Sequence, residues 1–83
     1  MKIGVLGCIL EHPQAHQSEF NELVAEYRHL IKGRMGIPFD DHETSVIAIT
    51  MIGTADDINA LTGKLGNIPG VTVKASISRK DID

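Results

Sequence analysis

One run of twenty residues, TADDINALTGKLGNIPGVTV from Thr54 to Val73, constrains the fold more than any other part of the chain. Thr54 is predicted to cap a helix, because its hydroxyl can accept a hydrogen bond from an N–H group of the first turn, and Asp57 follows at the capping-box position. Apolar residues then recur at helical spacing, at Ile58, Leu61, Leu65 and Ile68. Gly66 is expected to end the helix with a positive φ, and Pro69-Gly70 to form the turn before a strand. This order predicts the second half of a small α/β sandwich.

The other elements can be placed by periodicity and by breaking residues. Residues 2–10 and 45–52 are apolar on both faces, so we expect two central strands there. Residues 29–39 contain two glycines and a proline, which favours an edge strand. Residues 71–78 alternate between apolar and polar side chains, as a half-exposed strand does. A first helix is predicted over 13–27, beginning at a proline.

The predicted order βαββαβ corresponds to a ferredoxin-like plait of the α+β class. In that fold a four-stranded antiparallel sheet, in the order 4-1-3-2, carries both helices on one face. Because 83 residues suffice for one such unit, we expect a single domain over 1–83, with a frayed tail at 79–83.

The sheet face without helices is expected to need a cover. Apolar side chains of the central strands, such as Leu6, Leu10 or their neighbours, are predicted to lie there. Each is worth roughly 1.5–3 kcal/mol when fully buried, which a small domain can hardly forgo. The sequence therefore predicts a homo-oligomer, either a dimer or a tetramer.

Composition excludes several classes of function. The net charge is −3 and the isoelectric point is about 5.7, with eight scattered basic residues, so direct nucleic-acid binding is not expected. Cys8 is the only cysteine, which fits a reducing cytoplasm. No apolar run reaches the roughly 18 residues that a membrane span needs.

Three side chains near the first strand could bind a metal. Cys8, His12 and His16 follow the spacing C-x3-H-x3-H, and sulfur with imidazole suits zinc, nickel or copper. The competing interpretation is that Cys8 is a small core residue and that the two histidines lie at the surface. No catalytic motif, phosphate loop or dinucleotide fingerprint is present, so the sequence identifies no cofactor.

Two segments carry a resemblance to a known family. Arg34-Met35-Gly36-Ile37-Pro38 matches the pattern Arg, hydrophobic, Gly, hydrophobic, Pro, and residues 60–74, ALTGKLGNIPGVTVK, match ALSGKLG-x-I-x-GV-x-VK with Thr62 in place of serine. With these motifs the chain resembles small proteins proposed to regulate the iron-only hydrogenase system.

The resemblance implies an ACT-like regulatory domain that is not an enzyme and that binds a small molecule or a regulatory protein partner. It also implies a fold like the C-terminal domain of the nickel-responsive repressor. In ACT-like folds the ligand lies at the interface between subunits, near a strand-to-helix turn, which here points to Leu10, Glu11, His12, Gly53, Thr54 and Asp56. Thr54 and Asp56 have a competing role at the start of the second helix. A metal sensor or carrier using Cys8, His12 and His16, and a small enzyme, are the alternatives.

Overall fold

The computed structural model describes residues 1–82 of the chain. Its elements are β1 (Lys2–Glu11), α1 (Pro13–Glu26), β2 (Ile31–Phe39), a 3-10 turn (Asp40–His42), β3 (Thr44–Gly53), α2 (Ala55–Gly66) and β4 (Val71–Ile77). All neighbouring strands pair antiparallel in the order β2-β3-β1-β4. The ferredoxin-like plait predicted from the sequence is confirmed, including the two apolar strands at its centre. Within residues 1–82, neither helix has the length and apolar character that crossing a membrane requires.

The hydrophobic core lies between the helices and one face of the sheet. Alternate residues of β1 and β3 contribute Leu6, Cys8, Leu10, Ile47, Ile49 and Met51, all of them buried. The helices cover these side chains with Phe20, Val24, Ile58, Leu61 and Leu65. Gly4 of β1 lies beneath α2, since a Cβ atom there would come within 2.9 Å of the Ile58 side chain. Close packing of helix on sheet therefore occurs at Gly4.

The opposite face of the sheet is the helix-free face, and it is apolar. Its exposed large side chains come from β1 and β2: Ile3, Val5, Ile9, Met35, Ile37 and Phe39. Leu6 and Leu10, or their neighbours, were expected on this face. Leu6 and Leu10 lie under the helices instead, and it is their neighbours that are exposed. Both faces of β1 are apolar, so the strand pattern alone did not determine which face the helices cover.

The start of α2 matches its prediction, whereas its end does not. Thr54 Oγ1 accepts a hydrogen bond from Asp57 N at 3.0 Å, and Thr54 N donates to Asp57 Oδ2 at 3.3 Å, which completes a capping box. Gly66 is the last helical residue and does not have the expected positive φ. The left-handed conformation lies at Gly70, where φ is 81° in the Pro69-Gly70 turn. Gly63, which is exposed on the helix, has open space where a Cβ would lie.

The C-terminal residues differ from the expected frayed tail. Residues 79–82 return along the start of β1, where Ile82 N donates to Met1 O at 2.8 Å. Lys2 Nζ lies 3.4 Å from Asp81 Oδ1 and also donates to the carbonyl of Arg79. These partners lie about eighty positions away in the sequence, so no local pattern indicates them. Asp83 lies outside the described residues.

Candidate functional site

A cleft opens on the helix side of the sheet, between the first turns of α1, the second half of β2 and the beginning of β3. Its volume is about 380 Å³, within the range of small-molecule sites. Leu10 and Ile47, both buried, form its floor. Gln14 and Gln17 line it from α1, and Asp40 lies where β2 ends. The cleft thus combines an apolar base with polar walls.

The wall contributed by β2 contains one of the two motifs that carry the family resemblance. Arg34, Gly36 and Pro38 are spaced by two residues, so they share one face of the strand, and all three line the cleft. Met35 and Ile37 lie on the helix-free face. The Gly36 position is open, because a Cβ atom there would meet nothing closer than Ile47 Cγ1 at 3.9 Å. The Arg-x-Gly-x-Pro motif, which was found by its sequence pattern, therefore forms one side of the cleft.

Arg34 is held in place by α1. Its guanidinium carbon lies 5.8 Å from the centre of the Phe20 ring, and Nη2 donates to Asn21 Oδ1 at 3.0 Å. A cation over an aromatic face is attracted by the ring quadrupole, and the hydrogen bond fixes its rotation. These two contacts link the edge strand β2 to α1.

The residues predicted to bind a ligand fall into two groups at opposite ends of the sheet. Lys2 pairs with Gly53 while Glu11 pairs with Thr44, so the two strand-to-helix turns lie nine residues apart along β1. At about 3.3 Å per residue that is roughly 30 Å. One chain cannot bring both turns to one small ligand. The antiparallel pairing of β1 and β3 is the reason.

The first predicted group, Leu10, Glu11 and His12, lies beside the cleft. Leu10 contributes to its floor. Glu11 N donates to Gly70 O at 2.8 Å, which ties β1 to the turn before β4. His12 has a positive φ of 51°, and its Nδ1 lies 3.6 Å from Glu43 Oε2 at the surface. Of the three, only Leu10 lines the cleft.

The second predicted group, Gly53, Thr54 and Asp56, lies at the start of α2. Thr54 serves in the capping box, which was the competing interpretation. Asp56 is exposed in the first helical turn, where a negative charge interacts favourably with the helix dipole. A Cβ atom at Gly53 would lie 3.3 Å from Asp57 Cβ, so this glycine accommodates the capping residue.

The three candidate metal ligands are not brought together within one chain. Cys8 is buried beneath the helices, and burial raises the pKa of its thiol to about 11, although the positive charge of Arg34 acts in the opposite direction. His12 points toward Glu43, and His16 packs on Gly70, where a Cβ atom would lie 3.0 Å from His16 Cδ2. Across residues 1–82 the structure contains no group of three His, Cys, Asp or Glu side chains placed to hold a metal.

Sequence reasoning missed Gln14, Gln17 and the cleft-facing role of Arg34. A signal was present, because Gln14, Gln17 and Asn21 recur at spacings of three and four and so lie along one side of α1. A row of carboxamides also fits a solvated helix face. Only the position of β2 beside this row shows that these side chains line a cleft and do not simply form a solvated helix face.

Comparison with known proteins places the chain in a family. Residues 2–75 match the model of a family called TM1266-like and described as "Iron-only hydrogenase system regulator, putative". Among solved structures the chain is similar to the uncharacterized protein TM1266 from Thermotoga maritima, with 31% identity and a TM-score of 0.88 over 93% of this chain and 98% of that one. A search of curated proteins finds no match. Because the family model matches residues 2–75 and the fold is shared with TM1266, this chain belongs to the TM1266-like family.

Proposed function

We propose that the chain is a non-enzymatic, ACT-like regulatory domain of the iron-only hydrogenase system, which works in the cytoplasm as a homo-oligomer and senses a small molecule. The observation that carries this proposal is the helix-free face. Six large apolar side chains lie exposed on it, among them Val5 at 44% and Ile37 at 48% of full exposure. Regulatory domains that respond to a ligand commonly transmit the response across an interface between subunits.

The helix-free face has the size and composition of an interface. Four strands at about 4.8 Å spacing and up to ten residues of about 3.3 Å each cover roughly 600 Å² in projection. A specific interface buries about 800 Å² of accessible surface per partner. The accessible surface of a patch is larger than its projected area, so a face of this projected size is large enough for such an interface. Apolar residues extend from the edge strand β2 across β3 to β1, and Thr72, Lys74 and Ser76 of β4 form a polar border along the opposite edge. A contiguous apolar patch bordered by polar side chains is typical of interfaces between subunits.

The free energy of burying these side chains supports a second copy of the chain as the partner that covers the helix-free face. Each of the six side chains retains about half of its surface, so covering it is worth roughly 1 kcal/mol. Six of them contribute on the order of 6 kcal/mol per chain, which is comparable with the whole net stability of a small domain. A second copy offers the same apolar surface and needs no other protein.

A binding role is supported over catalysis by the groups in the cleft. Apart from the single carboxylate of Asp40, the polar side chains of the cleft are two carboxamides, a guanidinium and the Ser45 hydroxyl, which donate and accept hydrogen bonds but do not readily exchange protons near neutral pH. The Cys8 thiol lies in the core and has a raised pKa, so it is a poor nucleophile.

Light scattering on a sizing column, together with native mass spectrometry, tests the assembly. The wild type is expected as a dimer or tetramer, and Val5→Glu and Ile37→Lys are expected as folded monomers, because a charge introduced on the helix-free face would be buried in the interface without a partner. Ala60→Glu is the matched control, since it places a charge on the exposed side of α2. A monomeric wild type at micromolar concentration, or a Val5→Glu oligomer, overturns the self-association.

The regulatory role is tested in a cell that carries the iron-only hydrogenase system. Replacing the chromosomal gene with the Val5→Glu variant is expected to change hydrogenase activity in the same direction as deleting the gene. The Ala60→Glu variant is expected to behave as wild type. Unchanged hydrogenase activity after deletion contradicts a regulatory role, whatever the oligomeric state.

A further inference from the structure

We propose that the cleft between α1 and β2 binds a small monocarboxylate with an apolar body, and that Arg34 is the residue that recognises the carboxylate. This inference names the class of small molecule that the regulatory domain proposed above would sense, and it rests on that proposed function. It does not depend on self-association, because one chain supplies every residue that lines the cleft.

Arg34 offers a prepared anion site. The guanidinium carries five N–H donors in a plane, and the contact with Asn21 Oδ1 uses one nitrogen. Within residues 1–82 its charge is joined to no carboxylate, since the ion pairs there involve other residues. Phe20 and Asn21 already hold the group, so little side-chain entropy remains to be lost on binding. A planar carboxylate matches the remaining donors in a bidentate arrangement.

The other polar groups favour one carboxylate over two. Gln14 and Gln17 line the same cleft and can donate to a carboxylate oxygen or accept from a ligand donor. Asp40 lies at the end of β2, six residues beyond Arg34, so the two charges occupy different parts of the cleft. A second carboxylate near Asp40 would be repelled, whereas an amine or hydroxyl would find an acceptor. The charges therefore disfavour a dicarboxylate.

The size and the floor of the cleft define the rest of the ligand. A volume of about 380 Å³ equals roughly a dozen water molecules at ~30 Å³ each, so the ligand has about ten non-hydrogen atoms. Leu10, Ile47 and Pro38 present apolar surface to it. Gly36 leaves space above this floor that a side chain would occupy. An apolar body fits that space better than a hydrated one.

Three probes of one shape test the class. Para-aminobenzoate has a carboxylate, an apolar ring and a donor at the far end, para-aminobenzamide replaces the carboxylate with a neutral amide, and terephthalate replaces the donor with a second carboxylate. Titrations are followed by the backbone amide signals of residues 14–17 and 34–37 in ¹⁵N–¹H NMR spectra. Para-aminobenzoate is expected to bind at least about tenfold more tightly than either analogue, because a charge-assisted hydrogen bond is worth more than a neutral one.

Two variants and two matched controls locate the site. Gly36→Val fills the cleft without meeting the backbone closely, and Arg34→Gln removes the cation, so both are expected to abolish the shifts caused by para-aminobenzoate. Gly33→Val lies on the same strand with open space around its Cβ position, and Arg79→Gln removes the same charge from an exposed site. Both controls are expected to bind as wild type. Circular dichroism of each variant verifies the fold.

The outcomes for the ligand class and for the proposed function are distinguishable. The ligand class is overturned if no cleft signal moves with millimolar para-aminobenzoate, if inorganic phosphate binds equally tightly, or if Gly36→Val retains binding. Light scattering on the same samples reports the assembly. A dimer that ignores para-aminobenzoate refutes the ligand class alone, whereas a monomer that binds it refutes only self-association.

Discussion

Single residues set the conformation of the turns around the cleft, and Gly70 is the clearest case. Its φ is 81°, and a Cβ atom there would lie 3.0 Å from His16 Cδ2 and 3.1 Å from Glu11 O. Gly70→Ala combines a left-handed strain of about 1–2 kcal/mol with a contact against backbone. We expect a loss of about 2–3 kcal/mol in the free energy of unfolding, measured by urea denaturation.

Gly63→Ala is the control for this prediction. Gly63 lies inside α2 with open space around its Cβ position. Alanine there is expected to stabilise the protein by up to about 1 kcal/mol, because it reduces the entropy of the unfolded chain. Equal effects of the two substitutions would show that conformation at Gly70 is unimportant.

The Cys8 thiol gives stability a dependence on alkaline pH. Burial raises its pKa to about 11 from an ordinary value of 9.0, so the folded chain keeps a proton that the unfolded chain loses. The contribution of Cys8 to the free energy of unfolding is therefore fully present below pH 9 and declines as the pH rises toward 11. Urea denaturation at intervals across this window is expected to show a decline that Cys8→Ala lacks. Parallel curves for the two proteins would contradict the assignment to Cys8.

At the scale of elements, the start of α2 depends on the reciprocal capping box. Thr54→Ala removes the acceptor for Asp57 N and is expected to cost about 1 kcal/mol. Asp57→Ala should cost a similar amount, and the double variant less than the sum, because the two residues form one unit. Thermal and urea unfolding of the four proteins measure the coupling. Full additivity would mean that the two hydrogen bonds act independently.

At the scale of the whole molecule, self-association makes thermal stability depend on concentration. For a dimer that folds as it assembles, a tenfold rise in concentration adds about 1.4 kcal/mol and raises Tm by roughly 3–6 °C. Differential scanning calorimetry across a hundredfold range is expected to show this rise for the wild type and for Ala60→Glu. The Tm of Val5→Glu should be independent of concentration. A constant wild-type Tm would contradict assembly through the helix-free face.

How much of the molecule is predictable from sequence differs between the fold and the candidate site. The central strands could be placed because both of their faces are apolar, and the start of α2 because Thr54 and Asp57 lie three residues apart. The cleft could not be placed in this way. Gln14 and Arg34 lie twenty residues apart, and only the crossover of α1 and the edge position of β2 bring them to one cleft.

Local sequence was sufficient for the order of elements and the Pro69-Gly70 turn, because these follow from propensities and periodicities within a few residues. The order of strands then followed from the general rules for connecting such elements. Tertiary packing was needed to establish that Leu6 faces the helices while Val5 faces outward, and that Leu10 and Gly53 lie at opposite ends of the sheet. These features depend on which face of the sheet packs against the helices and on how the strands pair. A strand that is apolar on both faces carries no local mark of which face its helices will cover.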